Sequence, residues 1–97
     1  MKYEIVLSPE AAQTYKALGA RHKAEVREAI EAHLRHEPMK ISKSRIKRFR
    51  GLSRPQYRLR IGDLRVYYDV SSSTVEVLAI VEKPKSVEWL KKAGEPE

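Results

Sequence analysis

Apolar and polar positions alternate with period two along Tyr57-Arg58-Leu59-Arg60-Ile61 and again through Leu64-Arg65-Val66-Tyr67-Tyr68-Asp69-Val70. Such alternation marks a strand with one face in a core and the other turned outward. Between the two runs lies Gly62-Asp63, and glycine at the first of two turn positions is the signal for a tight type II′ hairpin. A two-residue turn fixes the register. Leu59 then faces Val66 and Tyr57 faces Tyr68 on the apolar side, while Arg60 faces Arg65 and Arg58 faces Tyr67 on the other.

The same patterning places the remaining elements. Tyr3-Glu4-Ile5-Val6-Leu7 reads as a short strand, and Ser8-Pro9-Glu10-Ala11 as a helix start with Ser8 capping and Pro9 in the first turn. Ala11, Tyr15 and Leu18 form the apolar stripe of this helix, which Gly19 is expected to end as a C-terminal glycine. A second helix is predicted from about Arg21 to His36, with Val26, Ala29, Ile30, His33 and Leu34 inward and Pro38 stopping it. So short a connection predicts an antiparallel helical hairpin. Lys40 to Arg50 is expected to be a loop or short strand anchored by Ile41, Ile46, Phe49 and Leu52. Beyond the Arg-rich hairpin, Ser71-Ser72-Ser73 is a turn and Thr74 to Val81 a nearly continuous apolar strand, read as the central one. Pro84 ends it, Lys85 to Ala93 is predicted to form a short tail helix around Val87, Trp89 and Leu90, and Gly94 to Glu97 to fray. The expected fold is α+β: an N-terminal strand and a helical hairpin packed on a mostly antiparallel four-stranded sheet, with a short C-terminal helix or tail.

Charge changes this picture most between Lys40 and Arg65. The chain of 97 residues carries 20 Lys and Arg against 13 Asp and Glu, for a net charge of +7. Half of those cations (Lys40, Lys43, Arg45, Lys47, Arg48, Arg50, Arg54, Arg58, Arg60 and Arg65) fall in that stretch, accompanied by one acid, Asp63. Charge kept for solubility alone would be interspersed with acids, so the clustering points to an anionic partner. Arg60 opposite Arg65, beside Arg58, is a like-charge arrangement that destabilises a hairpin by a few tenths to about 1 kcal/mol unless an anion joins it. Arginine suits phosphate because its planar fork binds two oxygens together. Tyr67 adds a surface for stacking on a base or bonding a ribose. Nucleic-acid binding is favoured over a merely solvated face whose arginines are held apart by Asp63, Asp69 and Glu76.

Other chemistries find less support. The absence of cysteine excludes disulfides and thiolate catalysis. His33 and His36 have i, i+3 spacing, yet His33 lies on the apolar stripe and no further ligand completes a set, so neither a metal nor a cofactor is expected. There is no Gly-rich phosphate loop and no nucleophile elbow. Catalysis, if present, is restricted to positioning a phosphodiester and stabilising its transition-state charge. The N-terminus lacks the apolar run of a signal peptide and no segment is of membrane-spanning length, so a cytoplasmic protein with no membrane partner is expected. Trp89 has two readings, a hydrophobic lock closing the tail over the sheet or a base-stacking residue.

The stretches KRFRGL, YRLRIGDLRVYYDV and VEVLAIVEK resemble the RelE/ParE superfamily of type II toxin–antitoxin toxins, in which a basic segment ending in glycine precedes a Y-R/K-x-R/K-x-G-x-x-R-x-x-Y hairpin and an apolar strand. The resemblance covers nearly the whole chain, implying a single toxin domain over residues 1–97, and favours the RelE-like branch. That branch implies a ribosome-dependent mRNA endonuclease, an mRNA interferase that drives a ribose 2′-OH onto the adjacent phosphate and so inhibits translation and growth. By position, the implied catalytic residues are Arg58, Arg60, Arg65 and Lys83, with Lys83 where the family has arginine. Trp89 falls on the family's C-terminal tyrosine, and an indole N–H cannot act as a general base. Lys43, Arg45, Lys47, Arg48, Arg50, Arg54, Tyr67 and Trp89 are the expected RNA-binding residues. The alternative is a ParE-like, gyrase-inhibiting toxin without a nuclease centre, which the Trp89 replacement favours, or a non-cleaving RNA-binding relative. The implied partners are mRNA on the ribosome and a cognate antitoxin whose acidic or amphipathic segment covers the basic face in a hetero-oligomer. On this reading, Arg65→Ala relieves growth arrest and leaves the fold intact.

Overall fold

The computed structural model describes residues 2–97. Strand β1 (Glu4–Leu7) leads directly into helix α1 (Pro9–Ala17). Ser8 makes that join: its Oγ accepts the Ala11 N–H at 3.0 Å and its hydroxyl donates to the Leu78 carbonyl at 2.7 Å. The cap therefore both starts the helix and fastens it to the sheet. Leu18 and Gly19 connect to helix α2 (Ala20–His33). Gly19 does not act as the expected C-terminal glycine. Its φ is −66°, it caps the start of α2, and a Cβ there would meet nothing within 4 Å.

Helix α2 ends at His33, a turn earlier than the predicted His36. The chain leaves the helix there because Arg35 is tied to the first strand, its carbonyl accepting the Tyr3 N–H at 2.7 Å and its Nη1 donating to the Tyr3 carbonyl at 3.1 Å. Pro38 follows, fully buried, and its carbonyl accepts the Tyr68 hydroxyl at 2.6 Å. That burial, with Tyr57 stacked at 5.4 Å, pushes the Tyr68 phenol well above its usual range.

The sheet holds β1, β2 (Ile46–Arg48), β4 (Tyr57–Ile61), β5 (Leu64–Val70) and β6 (Thr74–Glu82), in the order β1-β6-β5-β4-β2. Only the β1–β6 pair is parallel. The four expected strands are thus joined by a fifth, Ile46–Arg48, drawn from the stretch read as loop or short strand. Strand β5, not β6, holds the central position, because the added β2 lies beyond β4 on the side away from β6. The hairpin register is the predicted one, Tyr57 with Tyr68, Arg58 with Tyr67, Leu59 with Val66 and Arg60 with Arg65. Gly62 supplies the φ of +54° that a type II′ turn requires.

Both helices lie on one face of the sheet, α1 over β1 and β6 and α2 reaching β4. Ala11, Val26, Ile30 and Leu34 meet Tyr57, Leu59, Val66, Tyr68, Val75, Val77 and Ile80 there to form the core. The continuous apolar run of β6 has a local cause. A bulge leaves Leu78 unpaired between Tyr67–Ala79 and Tyr68–Val77, so Val77 and Ile80 share the core face although their spacing is odd.

After a single 3₁₀ turn (Lys83–Lys85), helix α3 (Ser86–Ala93) crosses the opposite sheet face. The tail predicted to fray is paired instead: β7 (Glu95–Pro96) runs antiparallel to β3 (Leu52–Arg54), and Ser53 Oγ donates to the Glu95 carbonyl at 3.2 Å. Gly94 makes the reversal feasible, because a Cβ there would lie 2.5 Å from the Leu90 carbonyl oxygen.

Candidate nucleic-acid interface

Strand alternation sends Arg58, Arg60, Arg65 and Tyr67 to the sheet face away from α1 and α2. Register then builds two adjacent rows. Lys47, Arg58, Tyr67 and Ala79 lie side by side in one, and Arg60, Arg65 and Val81 in the next. Lys83 lies two residues beyond Val81, level with the hairpin turn, its N–H donating to the Asp63 carbonyl at 2.8 Å. Among the described residues, no carboxylate forms an ion pair with Lys47, Arg58, Arg60, Arg65 or Lys83. Asp69 and Glu76, on the same face further along, are answered by Arg54, which approaches them at 3.7 and 3.5 Å. One end of the face holds paired charges with an acid in excess, and the other holds cations without a counter-charge.

The three arginines differ in what they offer. Arg60 is exposed. Arg58 is half-buried, its Nε is buried without a hydrogen-bond partner, and its guanidinium is held below the usual range by burial first and the Arg65 charge next. That is the signature of a cation lacking its anion. Arg65 is 6% exposed, and its Nη1 donates to the carbonyls of Gly62 at 2.7 Å and Leu64 at 2.9 Å. It contributes charge to the face but also pins the hairpin turn that carries Arg60 and Lys83.

This changes the expectation that Arg65→Ala leaves the fold intact. Losing two charge-assisted hydrogen bonds at a buried site should cost about 2 kcal/mol and lower the melting temperature by roughly 10 °C. Thermal unfolding followed by circular dichroism checks this, and an unchanged melting temperature would show that the turn holds without Arg65.

The aromatic residues form a stack rather than an open platform. Tyr67, 1% exposed, lies between Phe49 at 5.9 Å and Trp89 at 4.7 Å, with Trp89 nearly parallel to it at 10°. Trp89 Nε1 donates to Glu10 Oε2 at 2.8 Å, tying α3 to α1. Of its two readings, the lock closing the tail over the sheet describes the contacts it makes. Tyr67 presents no free ring face to a base in this arrangement.

The other expected RNA-binding residues separate into groups. Lys43 and Arg50 are exposed and line a hollow beside β2 with Lys47, Arg48 and Arg58. Arg48 lies on the core side of β2, its Nη1 donating to the Tyr57 hydroxyl at 2.8 Å. Arg45 is exposed just before β2, and its carbonyl accepts the Arg60 N–H. His33 is half-buried, and burial, then the Arg45 charge, lowers its pKa below the usual imidazole value. Sequence reasoning did not find the roles of Phe49 and Glu10, which position the aromatic stack from distant parts of the chain.

The family model described as ParE toxin of type II toxin-antitoxin system, parDE, matches residues 5–83. The chain belongs to this toxin family. Its fold is also that of solved toxin–antitoxin structures. A chain of the archaeal RelE–RelB complex from Pyrococcus horikoshii OT3 is 23% identical with a TM-score of 0.70, covering 86% of this chain and 97% of that one. A chain of the RelBE2 complex from Mycobacterium tuberculosis is 23% identical with a TM-score of 0.68, over 84% and 99%. A chain of the RelB–RelE complex from Methanococcus jannaschii is 14% identical with a TM-score of 0.65, over 87% and 96%. At these identities the likeness establishes the RelE-like fold of this ParE-family toxin and no more. No curated protein matches the chain. Among the described residues, no helix is long and apolar enough to cross a membrane.

Proposed function

We propose that this toxin binds RNA on the translating ribosome and cleaves mRNA. The observation that supports it is the cluster of Arg58, Arg60 and Arg65 with no carboxylate partner among the described residues, on the one sheet face that the helical hairpin leaves open. In this reading Arg58 and Arg60 hold the non-bridging oxygens of one phosphate, and Arg65 supplies charge from beneath. The ribose 2′-oxygen attacks the adjacent phosphorus, the bond to the 5′-oxygen breaks, and the products carry a 2′,3′-cyclic phosphate and a 5′-hydroxyl. Lys83, beside the turn, stabilises or protonates the departing 5′-oxygen.

The proton of the 2′-hydroxyl has no evident acceptor in this reading. Trp89 cannot take it, its N–H being bonded to Glu10, and the Tyr67 phenol belongs to a buried ring. Cleavage then rests on clamping and RNA geometry, and lacking an acid–base partner costs on the order of 10²–10⁴-fold in rate. The neighbouring structures are toxin–antitoxin complexes, which supports a cognate antitoxin whose acidic or amphipathic segment covers the same face. A cytoplasmic location follows from the ribosomal target.

A second reading, a gyrase poison without nuclease activity, is favoured by Trp89 standing at the position of the family's tyrosine. One experiment separates the two. After induction in growing cells, transcripts cut within the reading frame and ending in 2′,3′-cyclic phosphate are expected. Intact transcripts together with gyrase-linked DNA breaks would discard the ribosomal reading in favour of the other.

A further inference from the structure

A hollow of about 550 Å³ opens where the loop before β2 meets the sheet edge. Its cations are Lys43, Lys47, Arg48, Arg50 and Arg58, and Ile41, 62% exposed, gives it an apolar lip. No carboxylate lines it, whereas the grooves between α1 and α3, beneath His33, along β1 and beside Pro9 each include a glutamate. None of the five cations is ion-paired among the described residues. Arg48 is engaged by the Tyr57 hydroxyl and Lys47 lies 5.6 Å from the Phe49 ring centre, which leaves Lys43, Arg50 and Arg58 without a polar side-chain partner. The buried, unpartnered Nε of Arg58 belongs to the residue that joins this hollow to the arginine face.

From these features we propose that the hollow is a second phosphate site, taking two adjacent phosphate groups. Its volume is that of a site for a nucleotide-sized ligand, and three unpartnered cations around one concavity favour more than one negative charge. Lys43 and Arg50 hold the outer phosphate at the mouth, and Arg58 meets the inner one. Ile41 covers the apolar face of the attached base. Two sources share this chemistry, the backbone of a single RNA strand and the phosphate chain of a free nucleotide. The proposal rests on the RNA-binding reading only in that Arg58 belongs to both sites.

The test compares the wild-type protein with Lys43→Ala/Arg50→Ala, two exposed positions whose loss leaves the core untouched, and with Arg60→Ala, outside the hollow. A twelve-nucleotide single-stranded RNA without terminal phosphates, ATP and pyrophosphate are each titrated while amide resonances are followed. Shifts at residues 41–50 that vanish in the double variant are expected, with RNA affinity falling tenfold or more. The slope of log affinity against log salt should become shallower by about 1.4, at about 0.7 per contact on a single strand. Shifts with RNA alone assign the backbone as the source, and shifts with ATP and pyrophosphate alone assign a free nucleotide. If none of the three ligands shifts these residues, or the double variant keeps wild-type affinity and slope, the hollow is not a phosphate site. Weakening by Arg60→Ala in that case would leave the arginine face standing, and an unchanged Arg60→Ala would remove both.

Discussion

Replacing Arg58 and Arg60 together by alanine is expected to abolish growth arrest while leaving the protein folded. These side chains form the accessible part of the unpaired cluster, Arg65 being buried beneath the turn. Each bidentate arginine–phosphate contact contributes about 1.5–3 kcal/mol, so losing both should weaken RNA binding by about 10²-fold or more. Stability should move little, because the terms oppose one another. Alanine removes the like-charge pairing of Arg60 with Arg65 and the buried unpartnered Nε of Arg58, and it forfeits the packing of the half-buried Arg58 stem. A melting temperature within about 5 °C of wild type, with growth arrest lost in cells, is the expected pair of results. Undiminished toxicity would show that the arginine face is not where the toxin acts.

This double variant isolates binding in a way that Arg65→Ala does not, and the contrast shows where the sequence is informative. Alternation about Gly62-Asp63 suffices to pair the hairpin and to send three arginines to one face, because side-chain direction in a strand depends only on parity. Parity says nothing about what covers that face. Tyr67 is buried because Phe49 arrives from upstream and Trp89 from the tail, held by a hydrogen bond to Glu10 that spans most of the chain. No local pattern encodes such a contact. Helices were legible from their apolar stripes, whereas a two-residue strand such as Glu95–Pro96 has no periodicity to read. The apolar run in β6 hid its bulge for a related reason: Leu78, Ala79 and Ile80 are all buried, so composition cannot tell which face each one occupies.

The placement of cations carries a similar lesson. Ten basic residues between Lys40 and Arg65 look equivalent as a run, yet folding distributes them among three situations. Lys40, Arg48 and Arg54 satisfy polar groups of the protein itself and Lys47 lies over the Phe49 ring, Arg65 braces a turn, and Lys43, Arg45, Arg50, Arg58 and Arg60 remain unmatched among the described residues. Net charge alone assigns all of them to a partner. Counting hydrogen bonds reduces the recognition surface to the last group with Lys47 and Lys83 beside it.

Trp89→Ala is expected to produce the largest loss of stability of any single change in the tail. The indole stacks on Tyr67 with ring centres 4.7 Å apart and donates to Glu10 at 2.8 Å, so one side chain links α3 to both the sheet and α1. Truncating a fully buried tryptophan costs about 3–5 kcal/mol. Trp89 is half-buried, which reduces the expectation to about 2–3 kcal/mol, or roughly 10–20 °C in melting temperature for a domain of this size. Trp89→Phe preserves an aromatic face and removes the bond to Glu10, and should fall between the two. The consequence reaches the arginine face, because Tyr67 occupies the same row as Arg58 and the tail helix shields it from water. Amide hydrogen exchange should therefore accelerate in β5 as well as in α3 when Trp89 is removed. Faster exchange confined to α3, with the melting temperature unchanged, would mean that the tail is an appendage and that the arginines are set by the hairpin alone.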